Sequence, residues 1–425
     1  MIFTGVVLVA AKYSNGCFEN YAGIQGFKTC VVNKITSLFH KEELKNKKIN
    51  DLTNKFTSIS VGVNPSNYQI DQLCEYCKKV NEIITQNPLS SIDIMNIFFT
   101  EFNRYRGKSE HGQVFTPDHI ADLMANLLDI KENDVILDPT CGSGSLLVKA
   151  HNLLAKVTNP NKNPWENIYG NDFDQNILFL AYINMLLHND GITNLVQYNC
   201  VSDKKFNEWV KEKKITKVIA NPPYEKSNAI NILDEVLKSV EPGCRVCWLM
   251  PNTKMDKIKK SKLLLKKHSL TDIILLPDVF AKVGCGTVSL FMYTAKVPHD
   301  SKPIKCWSIL DDGFETVKNQ GRQDTKHKWQ KIKEEFLDKW ESGKCDFEIN
   351  PNDCLSYPRD IKSKEVTKED FTITLLQYML FKQGNISQKD TVASTLKLLL
   401  KFMDINNLDD KLEFLKEISR SKNEK

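Results

Sequence analysis

The chain has no apolar run of the roughly 20 residues needed to cross a bilayer as a helix. Its one apolar opening stretch, Ile2 to Ala11, is too short to span and lacks the basic flank of a secretory signal. It is expected to be a core strand or helix of a cytoplasmic protein that makes no membrane contact. There is no internal repeat and no low-complexity tract, which excludes solenoid and array architectures. Charge of one sign is scarcely in excess: 58 Lys and Arg face 53 Asp and Glu, for a net +5. So small a surplus permits contact with nucleic acid without requiring it. The densest basic run, Lys254 to Lys267, interleaves leucines and reads as an amphipathic helix with a solvated face. The 12 cysteines lack the spacing of a secreted disulfide scaffold and are read as reduced thiols. Of two Cys-x-x-Cys pairs, Cys74/Cys77 and Cys244/Cys247, the second lies in an apolar strand whose alternation sends the thiols to opposite faces. No metal site is expected.

What the chain does contain is a set of ordered motifs at strand ends. The run Asn221-Pro222-Pro223-Tyr224 follows the apolar segment Ile215 to Ala220. Proline fixes φ and has no N–H, so neighbouring carbonyls can point outward without closing a turn. The Asn221 side-chain oxygen and the Pro222 carbonyl could accept both hydrogens of a planar amino group, with Tyr224 offering a flat face. Taken alone, the run fits an ordinary strand-ending turn as well.

A second strand, Val135 to Leu137, leads into Asp138-Pro139-Thr140-Cys141-Gly142-Ser143-Gly144 and a helical pattern. Strand, glycine loop and helix in that order open a nucleotide-binding α/β unit. Gly142 and Gly144 would let the backbone approach a ligand, and Asp138 could hold a ligand ammonium. No Gly-Lys-Ser/Thr follows, so this is not a phosphate-cradling loop. A third strand ends at Asn171-Asp172. Asp172 is the candidate for ribose hydroxyls and Phe173 for flanking an adenine ring. The polar insert Asn159 to Pro164 accounts for a separation from Asp138 longer than the roughly 20 residues of the dinucleotide fingerprint. Upstream, Gln113-Val114-Phe115-Thr116-Pro117 precedes a helix starting at Asp118, where Thr116 or Asp118 would be the cap.

These elements, in this order, resemble the N6-adenine DNA methyltransferases, and most closely the modification subunit of type I restriction-modification systems. The resemblance covers roughly Glu101 to Trp329. It includes Leu276-Pro277-Asp278-Val279-Phe280, Asp311-Asp312-Gly313-Phe314 and Gly321-Arg322. It implies S-adenosylmethionine as cofactor, bound by Gln113, Val114, Phe115, Thr116, Pro117, Asp118, Asp138, Thr140, Cys141, Gly142, Gly144, Asp172 and Phe173. Cys141 is expected there for its small size. It further implies a flipped adenine held by Asn221, Pro222 and Tyr224; Phe280 would either supply the opposite face or be plain core. Two departures stand out. Asp172 occupies a position that is usually Glu, and Tyr198-Asn199-Cys200-Val201 with Asp203 replaces the family's Gly-Asp-x-Leu segment.

The implied chemistry is methyl transfer to adenine N6 in double-stranded DNA. It needs positioning and hydrogen-bond acceptors rather than a nucleophilic side chain or a metal. Cytosine N4, a protein glutamine, or an idle DNA- or partner-binding scaffold are the alternatives. Three regions are expected. Residues 1–105 form a mostly helical N-terminal region with helices such as Tyr68 to Ile84 and Ile92 to Tyr105. Residues 106–330 form the catalytic domain, a doubly wound, mostly parallel seven-stranded sheet whose last strand turns antiparallel. Residues 331–425 form a charged helical region with helices at Thr391 to Met403 and Leu408 to Ile418. That tail is too short and too helical to read bases by itself. The resemblance therefore implies a separate specificity subunit, and with it a possible restriction subunit, as partners.

Overall fold

The computed structural model describes residues 1–13, 18, 21–38, 43–61, 65–86, 116–189, 192–225, 227–252, 255, 259–280, 287–300, 302–317, 321–352 and 355–357. The helices expected at Ile92 to Tyr105, Thr391 to Met403 and Leu408 to Ile418 lie outside these residues, as do Gln113, Val114 and Phe115.

Among the described residues four helices come first: α1 (Ile2–Tyr13), α2 (Gly23–Leu38), α3 (Glu43–Ser58) and α4 (Asn67–Gln86). After α5 (Asp118–Leu127), strands and helices alternate: β1 (Ile136–Asp138), α6 (Ser145–Val157), β2 (Ile168–Asn171), α7 (Gln175–Leu187), β3 (Leu195–Val196), α8 (Lys204–Glu212), β4 (Lys217–Ala220), α9 (Asn228–Ser239) and β5 (Arg245–Pro251). A short α10 (Lys259–Leu264) leads to β6 (Ser269–Leu275), β7 (Val288–Thr294) and β8 (Ile304–Ser308). The ribbon β9 (Glu315–Val317) and β10 (Gly321–Gln323), then α11 (Trp329–Glu341) and β11 (Phe347–Ile349), complete the described elements.

The main sheet runs β11-β8-β6-β7-β5-β4-β1-β2-β3. Strands β5, β4, β1, β2 and β3 are parallel, and β7 inserts antiparallel between β5 and β6. The seven expected strands are all present. Among the described residues the sheet has nine because β8 pairs parallel with β6 and β11 antiparallel with β8. Successive residues of a strand enter different cores, as a pleated sheet requires. Val246 and Trp248 pack on one face with α8 and α9, whereas Cys247 and Leu249 pack on the other with α5, α6 and α7. Cys244 and Cys247 are likewise divided between the two cores, so they cannot share a metal.

The N-terminal helices join the second of these cores. Val6 to Ala11 of α1 are buried, and Gly5 sits so close to α7 that an added Cβ would lie 2.8 Å from Ile183 Cγ2. Lys12 then donates its ammonium to the Leu186 and Leu187 carbonyls, and Tyr13 its hydroxyl to Leu186, closing the carboxyl end of α7.

Strand order reverses between β1 and β4. From β1 the chain moves to β2 and β3 on one side, and from β4 to β5 on the other. The crevice at the carboxyl ends of such strands is where doubly wound sheets bind ligands.

Candidate active site

A cavity of about 540 Å³ opens at that crevice, within the size range of small-molecule sites. Asp138 lines it. The carboxylate is 1% exposed, and its Oδ1 accepts the Thr140 N–H at 3.0 Å. Oδ2 has no hydrogen-bond partner among the described residues, and neither has the buried hydroxyl of Thr140. Burial raises the Asp138 carboxyl well above the usual carboxylate range; the Thr140 N–H opposes this and the charge of Asp172 adds to it. An orphaned buried carboxylate oxygen of this kind fits a cationic ligand group.

The two loop glycines do different work. Gly142 has φ +57° and open space where a Cβ would stand, and it lines the cavity. Gly144 has φ +84°, but its Cβ would lie 2.8 Å from Met185 Cε, and it does not line the cavity. Close packing against α7 accounts for a glycine at position 144.

Asp172 closes the loop from the other side. Its Oδ2 accepts the Gly142 N–H at 3.0 Å and its Oδ1 the Asp174 N–H at 2.9 Å. Burial lifts this carboxyl to about 6, against the pull of those N–H groups. Phe173 beside it is 63% exposed at the cavity rim.

Asn171 was not singled out from the sequence, yet it ties the site together. Its amide donates to the Pro139 carbonyl at 2.9 Å and the Tyr198 carbonyl at 3.1 Å, and accepts from the Tyr198 N–H at 2.8 Å. A buried Asn at the end of an otherwise apolar strand was the available signal. Residues 198–202 line the cavity as a consequence, with Asn199 bonding the N–H groups of Val201 and Ser202. Asp203 instead caps α8 through the Lys205 N–H.

The other half of the cavity belongs to the β4 end. Asn221 donates its amide Nδ2 to Thr116 Oγ1 at 3.0 Å and accepts the Tyr224 hydroxyl at Oδ1, 2.5 Å away. Pro222 is buried and Pro223 exposed, as expected of a rigid turn half sunk in the sheet edge. Glu225, Asn228 and Asn231, beside the start of α9, also line this end.

One expectation is corrected, and three expected site residues, Pro117, Asp118 and Phe280, do not line the cavity. Neither Thr116 nor Asp118 caps α5: Pro117 occupies the N-cap without a side-chain bond, because Thr116 is turned to Asn221. Asp118 pairs with buried Lys149 of α6 at 2.7 Å, and neither it nor Pro117 lines the cavity. Phe280 is 4% exposed and stands edge-on to Tyr224, with centroids 6.4 Å apart at 70°. Such a pair leaves no parallel gap between the two rings as they stand, which accords with a core role for Phe280.

Residues 91–250 match the model of the N-6 DNA Methylase family. The chain is 30% identical over 254 residues to a type II restriction enzyme and methyltransferase, RM.BcgI of Heyndrickxia coagulans, covering 55% of this chain and 39% of that protein. It is 28% identical over 192 residues to the methylase subunit of the type I restriction enzyme EcoEI of Escherichia coli, covering 39% of each. The chain thus spans about two fifths of the length of either relative. In fold it is similar to the methyltransferase subunit of a type I restriction-modification system from Streptococcus thermophilus, with a TM-score of 0.52 at 16% identity, over 80% of this chain and 74% of that one.

Proposed function

We propose that this chain, which belongs to the N-6 DNA methylase family through residues 91–250, transfers a methyl group from S-adenosylmethionine to N6 of an adenine flipped out of double-stranded DNA. The observation that carries the reading is the Asn221 amide. It is fixed at the end of β4 by Thr116 and Tyr224 and opens on the same cavity as Asp138 and Asp172.

The residues of the β1–β2 half fit the cofactor. The orphaned Asp138 oxygen suits an ammonium, Asp172 suits ribose hydroxyls, and exposed Phe173 suits one face of an adenine ring. Thr140, Cys141 and Gly142 would lie along the methionine part, where Gly142 lacks the Cβ that would narrow the cavity. Bound S-adenosylmethionine supplies an electrophilic methyl group whose departure leaves a neutral thioether.

Adenine N6 is a weak nucleophile because its lone pair is delocalised into the ring. Asn221 Oδ1 and the Pro222 carbonyl would accept its two hydrogens, localise the lone pair and aim it at the methyl group. The amino group would take the place of the Tyr224 hydroxyl at Oδ1, which frees the Tyr224 ring to stack on the base. Extrusion of the base costs a few kcal/mol, and stacking returns about 1 to 3 kcal/mol. The N6 proton then leaves to water.

Relatives that are subunits of type I systems support a division of labour in which a specificity subunit reads the DNA sequence, with a restriction subunit as a further partner. Labelled methyl transfer to unmethylated DNA, with Asn221→Ala as control, tests the reading. Label on adenine N6 that is lost in the control supports it; transfer that survives the control refutes it.

A further inference from the structure

Two motifs far from the cavity in sequence, Asp311-Asp312-Gly313-Phe314 and Gly321-Arg322, remain without a role. Asp312 is fully buried, and its carboxylate gathers groups from three segments. Oδ2 accepts from His119 Nε2 of α5 at 3.1 Å. Oδ1 accepts from Arg322 Nη2 of β10 at 2.5 Å and from the Phe314 N–H at 3.1 Å. Burial works to raise this carboxyl, but the bonds from His119, Phe314 and Arg322 outweigh it and hold it below the usual range. The imidazole of His119 is stacked on the Phe314 ring, with centroids 3.9 Å apart at 20°, and edge-on to Trp329. Arg322 reaches further, its Nη1 donating to the Asp278 carbonyl at 3.3 Å.

Both ends of this chain of contacts lead to the amino-group pocket. His119 sits on the first turn of α5, three residues after Thr116, whose hydroxyl fixes the Asn221 amide. Asp278 lies two residues before Phe280, whose ring stands edge-on to Tyr224. The Thr116 wall and the Tyr224 wall are thus joined behind the pocket by a buried carboxylate and a guanidinium.

We propose that Asp312 and Arg322 are positioning residues for methyl transfer: together they hold α5 and the Pro277–Phe280 segment in register, so that Asn221 and Tyr224 keep the spacing that an adenine amino group requires. The inference rests on the reading of the Asn221 pocket given above. Neither residue touches the cavity, so their effect falls on the geometry of transfer and not on cofactor capture. Displacement of a reacting group by about 1 Å costs on the order of a hundredfold in rate.

The test uses the full chain with its partner subunits. Arg322→Gln is the first variant, because the Arg322 side chain is 23% exposed and its loss opens no core cavity. Asp312→Asn, of the same shape, is the second, so the outcome does not depend on the folding of either one alone. The expected result is a fall in kcat of about tenfold to a hundredfold for Arg322→Gln. Cofactor affinity should change little, the loss of kcat should persist at temperatures well below any lowered melting transition, and Arg322→Lys should recover part of the loss. Wild-type kcat in both variants overturns the inference, as does a loss that only follows cofactor affinity or melting temperature. Asn221→Ala, run alongside, separates the two claims. If it abolishes transfer while Arg322→Gln and Asp312→Asn do not, only the positioning role fails; if it leaves transfer intact, the pocket itself has been misread.

Discussion

The Asn221 amide donates to the hydroxyl of Thr116 across 3.0 Å, joining the end of β4 to the start of α5 over 105 residues of chain. Because Nδ2 is taken up by Thr116, Oδ1 is the end presented to the Tyr224 hydroxyl. The Thr116 bond, from outside the Asn-Pro-Pro-Tyr run, thus favours one orientation of the amide.

Replacing Thr116 by Val keeps the shape and removes the acceptor. The amide then loses its preferred orientation, and kcat should fall about tenfold to a hundredfold while cofactor affinity stays within twofold. Steady-state kinetics beside cofactor titration would check this; an unchanged kcat would show that Thr116 does not orient Asn221.

Tyr224 carries a hydroxyl that occupies Asn221 Oδ1 and a ring that, on the proposed reading, stacks on the base. Tyr224→Phe should cost less than about tenfold in kcat, since on the proposed reading base entry displaces the hydroxyl. Tyr224→Ala should lose about 1 to 3 kcal/mol of stacking, read as weaker binding of DNA carrying an unpaired target adenine. Equal losses in both variants would mean that the hydroxyl, not the ring, is what matters.

Asp172 sets a pH dependence. Burial raises its carboxyl from 3.8 to about 6, so the protonated form prevails below that value and the hydroxyl-accepting carboxylate above it. Cofactor affinity should therefore weaken as pH falls through about 6, and Asp172→Asn should bind more weakly with no inflection there. Stability runs the other way. A folded value above the unfolded one means that the contribution of Asp172 is present at low pH and lost as pH rises from 3.8 through about 6. Calorimetric titration between about pH 5 and pH 8 would read the affinity term, and a flat wild-type profile would contradict it.

Asp138 shows the same conflict more sharply, with an orphaned oxygen and a carboxyl raised further by burial and by Asp172. Asp138→Asn removes an ionisable group that is hard to charge in place. The variant should melt higher than the parent, by a margin that grows as pH is raised, and bind cofactor at least about thirtyfold more weakly. A variant that melts lower at every pH would place Asp138 among the residues that stabilise the fold.

Much of this arrangement was legible in the chain itself, because strand ends are local features. Asp138, Asp172 and Asn221 each follow a short apolar run, and alternation of such runs with helical patterns predicts a sheet whose carboxyl ends gather them. Residues whose role depends on helix phase or on distant partners were not legible. Nothing local tells that Gly144 faces Met185, that Asp118 turns to Lys149 rather than to the cavity, or that Phe280 stands edge-on to Tyr224. The His119–Asp312 pair spans 193 residues, and only the folded sheet brings its halves together. Strands β8 and β11 extend the sheet by pairing at its edge, which short segments of mixed polarity do not announce.

The central claim is that the fixed Asn221 amide serves methyl transfer to adenine. Its most direct test is transfer of labelled methyl from S-adenosylmethionine to genomic DNA lacking adenine methylation. The chain is assayed alone, with the proteins encoded beside it, and as the Asn221→Ala variant. The account predicts label on adenine N6 when a neighbouring subunit is present and none in the variant. Cofactor binding without label on DNA in any mixture would contradict it and turn attention to another planar amine or to a scaffold role.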